Sequence, residues 1–187
     1  LLGLLLVAVG GWPILAIGLT AMLAAWAYSA GPAPISSAPV GELFVLGFFG
    51  LAAVAGAYYL QAGSFSAAAW LAGTVIGLPA AAVLLVNNHR DRESDAHAGR
   101  FTLAIMIGPG ASCWLFAAML VASCLLGTLL VSASHSRLPL LLLPWALWLA
   151  WRLFAGTGVA LNGVLSATSL FQVALGTLLC VIWIVGS

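Results

Sequence analysis

Asn87-Asn88-His89-Arg90-Asp91-Arg92-Glu93-Ser94-Asp95, followed by Ala96 to Arg100, is the hydrophilic centre of an otherwise apolar chain. The sequence has five basic and four acidic side chains, and six of them fall here: Arg90, Asp91, Arg92, Glu93, Asp95 and Arg100. If the apolar helix that leads into the stretch runs on through it, the i, i+4 spacing sets Asn87, Asp91 and Asp95 along one face. Two carboxylates and an amide then point the same way, an arrangement suited to a hard cation.

Outward from this stretch the chain is mostly hydrocarbon. Of 187 residues 64% are hydrophobic and 5% charged, with a mean hydropathy of +1.21; a water-soluble domain carries about 25% charged residues. The composition predicts an all-α, multispanning bundle in a lipid bilayer. The net charge is +1 and there is no Lys, so neither a nucleic-acid face nor a polybasic peripheral anchor is available. Cys113, Cys124 and Cys180 lie in apolar runs at spacings that match neither a zinc nor a redox motif, and read as buried small side chains. Nothing reads as a signal peptide. The first residue is Leu, and the expectation is a natural start further upstream.

A span needs about 20 apolar residues. Leu1 to Gly10 supplies half a span before Gly11-Trp12-Pro13 interrupts it. Six full spans are predicted after it, near 12–28, 42–61, 65–88, 110–132, 138–154 and 166–185. Gly31-Pro32-Ala33-Pro34 ends the first of them. The second carries Gly41, Gly47, Gly50 and Gly56 beside Phe44, Phe48, Phe49, Tyr58 and Tyr59, a mixture that lets backbones approach on one side and builds aromatic walls on another. In the third, Gly73 and Gly77 stand in GxxxG register and Pro79 predicts a kink near mid-membrane. Alternation puts the connections holding Arg90, Arg92, Arg100 and Arg152 on one side and Arg137 on the other, so the 87–100 loop is expected to be cytoplasmic.

Magnesium is commonly held by one or two carboxylates plus the phosphates of a substrate. Asp91 and Asp95 meet that description with Asn87 in support, and Arg90, Arg92 and Arg100 could grip phosphate oxygens. Carboxylates for a metal, guanidinia for phosphate and an apolar cavity alongside suggest a lipid diphosphate. Against this stands a plain solvated loop that fixes topology. The paired amides Asn87 and Asn88 and the helical interval of the acids weigh for a site.

The pattern Asn87-Asn88-x-Arg90-Asp91-x-x-x-Asp95-x-x-x-Gly99-Arg100-x-Thr102-Leu103-Ala104 resembles the second aspartate-rich motif of the UbiA superfamily of intramembrane prenyltransferases. It is most similar to the MenA branch, the 1,4-dihydroxy-2-naphthoate polyprenyltransferases, which usually have Lys where Arg100 stands. Tyr28-Ser29-Ala30-Gly31-Pro32 and Gly41-Glu42-Leu43-Phe44-Val45, with Phe48-Phe49-Gly50, Gly56, Tyr59 and Gln61, are similar to further stretches of that branch. Asn162, Leu165 and Thr168 fit more weakly. The family's first aspartate-rich motif, of NDxxDxxxD type, has no counterpart here, and the family has about nine spans. The chain therefore reads as one transmembrane domain over 1–187, incomplete at its amino end, and is not expected to be active alone unless that segment is supplied.

The resemblance implies magnesium-dependent transfer of a polyprenyl group from its diphosphate to 1,4-dihydroxy-2-naphthoate, with loss of the carboxylate, to give a demethylmenaquinone. The implied setting is a bacterial plasma membrane. Asp91 and Asp95 would hold the metal and diphosphate, Asn87 and Asn88 would support them, and Arg90 and Arg100 would grip the diphosphate. Tyr28, Phe48 and Tyr59 would line the substrate chamber; Tyr58 and Tyr59 cannot share a helix face, and Tyr59 is preferred because the family stretch has it. Glu42 either orients the acceptor or caps its helix. Arg92 and Glu93 read as a solvated ion pair, His89 and His97 as hydrated loop histidines, and Trp145, Trp148, Trp151 and Trp183 as interfacial anchors. Two rivals are another acceptor ring (4-hydroxybenzoate, homogentisate or a porphyrin-derived ring) and a magnesium-binding membrane module or transporter. Transport would call for ionisable groups at mid-membrane, and the spans carry none there.

Overall fold

The structure, a computed structural model, describes residues 2–31, 34–132, 134–135 and 137–186. Among these residues every regular element is helical, as the composition requires: with no water in hydrocarbon, an isolated segment satisfies its backbone only by coiling on itself. The elements are α1 (Leu2–Ser29), α2 (Gly41–Ala62), α3 (Ala67–Arg90), the short α4 (Arg92–His97), α5 (Leu103–Gly127), α6 (Leu143–Ala155) and α7 (Leu161–Gly186). Six segments are long and apolar enough to cross a membrane. The predicted Pro32, Ala33 and Ser136 loop positions lie outside the described residues.

The half-span and the first full span meet where Gly11-Trp12-Pro13 predicts a break: Gly11 takes φ 64°, a conformation open to glycine, and the two helical pieces of α1 join across it. Two predicted starts are late. The fourth span begins at Leu103 rather than near Gly110, because a short helical piece over 103–107 joins the longer one across a kink at Gly108 (φ 79°, ψ 173°). The last begins at Leu161 rather than Ser166, since Leu161 and Val164 are buried and draw its first turn into the bundle.

The core lies among α3, α5, α6 and α7, around Leu85, Phe116, Leu120, Leu149, Phe171 and Leu175. The third span is the hub, with half of its most apolar window buried against 6% for α1. The small residues of α2 and α3 meet as their spacing predicts: a Cβ placed on Gly50 would lie 2.5 Å from the Gly73 carbonyl oxygen and 2.7 Å from the Gly77 Cα. Leu46–Ala52 of α2 is wound as π-helix through this crossing.

Pro79 leaves α3 continuous from Ala67 to Arg90. The proline has no N–H for the Val75 carbonyl, and one residue along, the Ile76 carbonyl accepts the Gln172 side-chain amide of α7 at 3.3 Å. Two expectations for single residues fail here. Cys180 is exposed on the outer side of α7, whereas Cys113 and Cys124 are buried. Trp145 is half-buried edge-on against Phe171, centroids 5.7 Å apart, so it packs the core; Trp148, Trp151 and Trp183 are exposed.

Candidate active site at the polar end of the bundle

Three connections gather at one end of the bundle, as alternation predicts. The Phe101 amide donates to the Ser37 carbonyl at 2.8 Å, and Arg90 reaches Asn162 at the start of α7. Between them lies the polar stretch. The helix does not run through it unbroken: α3 ends at Arg90, Asp91 takes φ −93°, ψ 7°, and α4 follows. The helical bonds nevertheless continue across the joint, Asp91 N–H to Asn87 carbonyl at 3.0 Å and Asp95 N–H to Asp91 carbonyl at 2.8 Å. Asp91 and Asp95 therefore keep their spacing of one turn.

Each carboxylate has a guanidinium partner. Arg90 binds Asp91 through two parallel bonds, Nε to Oδ1 at 2.7 Å and Nη2 to Oδ2 at 2.6 Å. Arg100 binds Asp95 at 3.2 Å, with Asp95 buried and Arg100 half-exposed. The Arg90 donation holds the Asp91 carboxyl below the usual carboxylate range, against the smaller opposing effect of partial burial. Arg90 also donates Nη2–H to Asn87 Oδ1 at 2.9 Å and Nη1–H to Asn162 Oδ1 at 2.6 Å. Four of its five N–H groups are thus committed. Only one remains for any phosphate, so the guanidinium predicted to grip substrate is first a clamp on Asp91.

The second polar pair is buried. Glu42, 2% exposed at the head of α2, accepts from the Asn88 amide at 2.9 Å through Oε1, while its Oε2 has no partner. Val40 is the N-cap of α2 and makes no side-chain cap bond, while Glu42 lies in the first turn with its carboxylate against its own backbone N–H as well as Asn88, so the capping reading stays open beside that of orienting an acceptor. The Tyr28 hydroxyl stands beside Gly41, 3.9 Å from where a Cβ would be. Tyr28, Glu42 and Asn88 thus form a row across α1, α2 and α3, in which the bond shown joins Glu42 to Asn88.

Tyr28 also opens onto a cavity of about 780 Å³ between α1 and α2, walled by Ile17, Ala21, Phe44, Phe48, Phe49 and Ala52 among others. This is the size of a small-ligand chamber, with polar groups only at the Tyr28–Ser29 end. Asp91, Asp95, Asn87 and Arg90 are not among its walls; they lie beyond the Tyr28–Glu42–Asn88 row. Tyr58 and Tyr59 do not line it either. Tyr59 stacks on Phe65 at 4.7 Å, and Phe65 on Trp70 at 5.8 Å, near the opposite end of α3, with Trp70 about 30 Å from Arg90 at 1.5 Å per residue.

His89 lies in α3 with a buried, unpartnered Nδ1, not in a hydrated loop; His97 Nδ1 lies 2.8 Å from the Glu93 carbonyl. No ion pair joins Arg92 and Glu93 among the described residues. Asn162, which the sequence offered only as a weak fit to the family pattern and not as a site residue, joins the site through a partner 72 positions away.

For a divalent cation the donor set is two carboxylates one turn apart and the Asn87 amide oxygen. Among the described residues no group of three His, Cys, Asp or Glu side chains gathers to hold a metal. That set fits magnesium, which takes one or two protein carboxylates and completes its shell with substrate phosphate and water. It does not fit a preformed protein cage.

A sequence profile of the UbiA prenyltransferase family matches residues 1–159. The 1,4-dihydroxy-2-naphthoate octaprenyltransferase of Mycobacterium tuberculosis is 33% identical over 159 residues, 84% of this chain and 54% of that one. The enzyme of the same name from Haemophilus influenzae is 45% identical over 92 residues, 49% of this chain and 30% of its own. A UbiA prenyltransferase domain-containing protein 1 from Mus musculus is 40% identical over 111 residues, 57% and 32% of the two chains. The matches span between 30% and 54% of the length of these relatives. No solved structure matches.

Proposed function

This chain belongs to the UbiA prenyltransferase family, and from that membership we propose that it serves transfer of a polyprenyl group from its diphosphate to an aromatic ring in the membrane, the ring being 1,4-dihydroxy-2-naphthoate. The observation that carries this reading is an aromatic-walled cavity whose polar wall, Tyr28 and Ser29, lies at the same end of the bundle as the Arg90–Asp91 and Arg100–Asp95 pairs, which do not themselves line it. The matched relatives named for naphthoate octaprenyl transfer supply the acceptor.

In this reading Asp91 and Asp95 hold magnesium, with Asn87 in support. When bound, the metal neutralises charge on the departing diphosphate. Arg100, half-exposed beside Asp95, takes phosphate oxygens, and Asn88 holds Glu42 rather than substrate. The prenyl tail lies against Phe44, Phe48 and Phe49, and the faces of Tyr28 and Phe48 steady positive charge at the allylic carbon. The apolar walls keep water from trapping it. Glu42 turns its unpaired oxygen to a ring hydroxyl of the acceptor. As the carbon–carbon bond forms, the allylic carbon–oxygen bond breaks and the ring loses carbon dioxide. The polar end is cytoplasmic, where the charged diphosphate arrives.

The test is prenyl transfer by the full-length protein in membranes, with radiolabelled prenyl diphosphate and a panel of aromatic acceptors. Transfer to the dihydroxynaphthoate is expected with magnesium and lost on chelation. Asp91→Asn is expected to lower the rate by at least about a hundredfold, the scale on which losing one transition-state contact acts, with assembly unchanged. Full activity of that variant would end the proposal.

A further inference from the structure

We propose that Asn162 is a positioning residue of this site: from the first turn of α7 it fixes the Arg90 guanidinium, and through it the orientation of the Asp91 carboxylate. The inference rests on the reading of Asp91 as a metal and diphosphate ligand. Its basis is one of the shortest side-chain bonds in the protein, Arg90 Nη1–H to Asn162 Oδ1 at 2.6 Å, which joins elements 72 residues apart.

Arg90 is a long side chain that loses several freely turning bonds when it is fixed. Its fork on Asp91 leaves rotation about that axis open, because two parallel bonds to the neighbouring residue define a line and a plane edge, not an anchorage in the bundle. Asn87 lies on the same helix and moves with it. Among the described residues Asn162 is the one partner of Arg90 beyond α3 and the Asp91 that ends it.

That element is rigidly held. Leu161 is 1% exposed and Val164 2% exposed on either side of Asn162, and a Cβ on Gly156 would strike the Leu161 side chain at 2.8 Å, so the entry to α7 is packed shut. Asn162 is itself exposed, and its amide oxygen is offered from a helical turn anchored by its buried neighbours rather than from a loop. A guanidinium held on both sides keeps Asp91 turned one way, and its spare Nη1–H is then aimed by the bundle rather than by thermal motion.

The experiment reads binding of magnesium pyrophosphate to the full-length protein in detergent by calorimetry, which needs no turnover. Asn162→Leu keeps the size and removes the acceptor; affinity is expected to fall about tenfold, the equivalent of one hydrogen bond to a charged group. Asn162→Asp keeps an acceptor of the same shape and is expected to stay within about threefold of wild type. In an Arg90→Gln background, Asn162→Leu is expected to change affinity by less than about twofold, since residues that act through one another are not additive. Wild-type affinity of Asn162→Leu would overturn the proposal. So would additive losses in the double variant, or equal losses in the Leu and Asp variants with a lowered melting temperature. Failure of the wild type to bind pyrophosphate at all would overturn the diphosphate reading itself, a result distinct from the others.

Discussion

Gly50 and Gly47 stand three residues apart on α2 and should respond to the same substitution with opposite sign. A Cβ on Gly50 would lie 2.5 Å from the Gly73 carbonyl oxygen and 2.7 Å from the Gly77 Cα, both backbone atoms that no rotamer change can move. Ordinary contact begins near 3.4 Å, so α2 and α3 must part by about 0.7 to 0.9 Å, and overpacking of that kind costs about 1–3 kcal/mol. Exchanging glycine for alanine in a helix returns up to about 1 kcal/mol. Gly50→Ala is therefore expected to destabilise by about 1–2 kcal/mol. A Cβ on Gly47 meets nothing within 4 Å, so Gly47→Ala keeps only the gain and is expected to stabilise by about 0.5–1 kcal/mol. The assay is reversible unfolding in mixed micelles, followed by far-ultraviolet circular dichroism as the denaturing detergent fraction rises. Midpoints that move in the same direction for both variants would refute the close crossing of α2 and α3.

Tyr59→Leu is expected to lose about 0.5–1.5 kcal/mol of stability from the stack on Phe65, with KM for prenyl diphosphate unchanged; a raised KM would return Tyr59 to the substrate chamber. Acid should weaken the polar end in a defined window. Asp91 is held below its ordinary value chiefly by the Arg90 hydrogen bonds, so its contribution is complete above the unfolded carboxylate value of about 3.9 and is lost as pH falls through the lower folded value. Asp91→Asn should flatten the acid limb of the stability profile, and an unchanged limb would count against the clamp. With a side chain 35% exposed, solvent screens this contribution and the effect is small.

The spans were legible because lipid imposes a local rule: about 20 apolar residues in a row declare a helix whatever they touch. The crossing of Gly50 with Gly73 and Gly77 was legible for a similar reason, since small residues at helical intervals are what close approach demands. Where a helix bends rather than ends, composition misleads, and Gly108-Pro109 looks like a terminus although backbone bonding resumes on its far side. The candidate site divides the same way. The one-turn spacing of Asp91 and Asp95 is a property of consecutive sequence. The pairing of Glu42 with Asn88, 46 positions apart, and of Arg90 with Asn162 depends on how whole helices are docked. No window of residues encodes that. His89 was misplaced because a polar side chain suggested loop, when tertiary packing carried α3 two residues further.

The amide of Gln172 on the Ile76 carbonyl, one step from the donor that Pro79 lacks, acts as a gauge mark between the third and last helices. Hydrocarbon provides no rival donor at that depth, so the contact is satisfied at a single axial height. A slip of α7 along α3 by even one residue, about 1.5 Å, takes the Gln172 amide off the Ile76 carbonyl. Apolar flanks alone would tolerate such sliding; this one pair of atoms gives the bundle a unique vertical setting, and with it the level at which Asn162 meets Arg90.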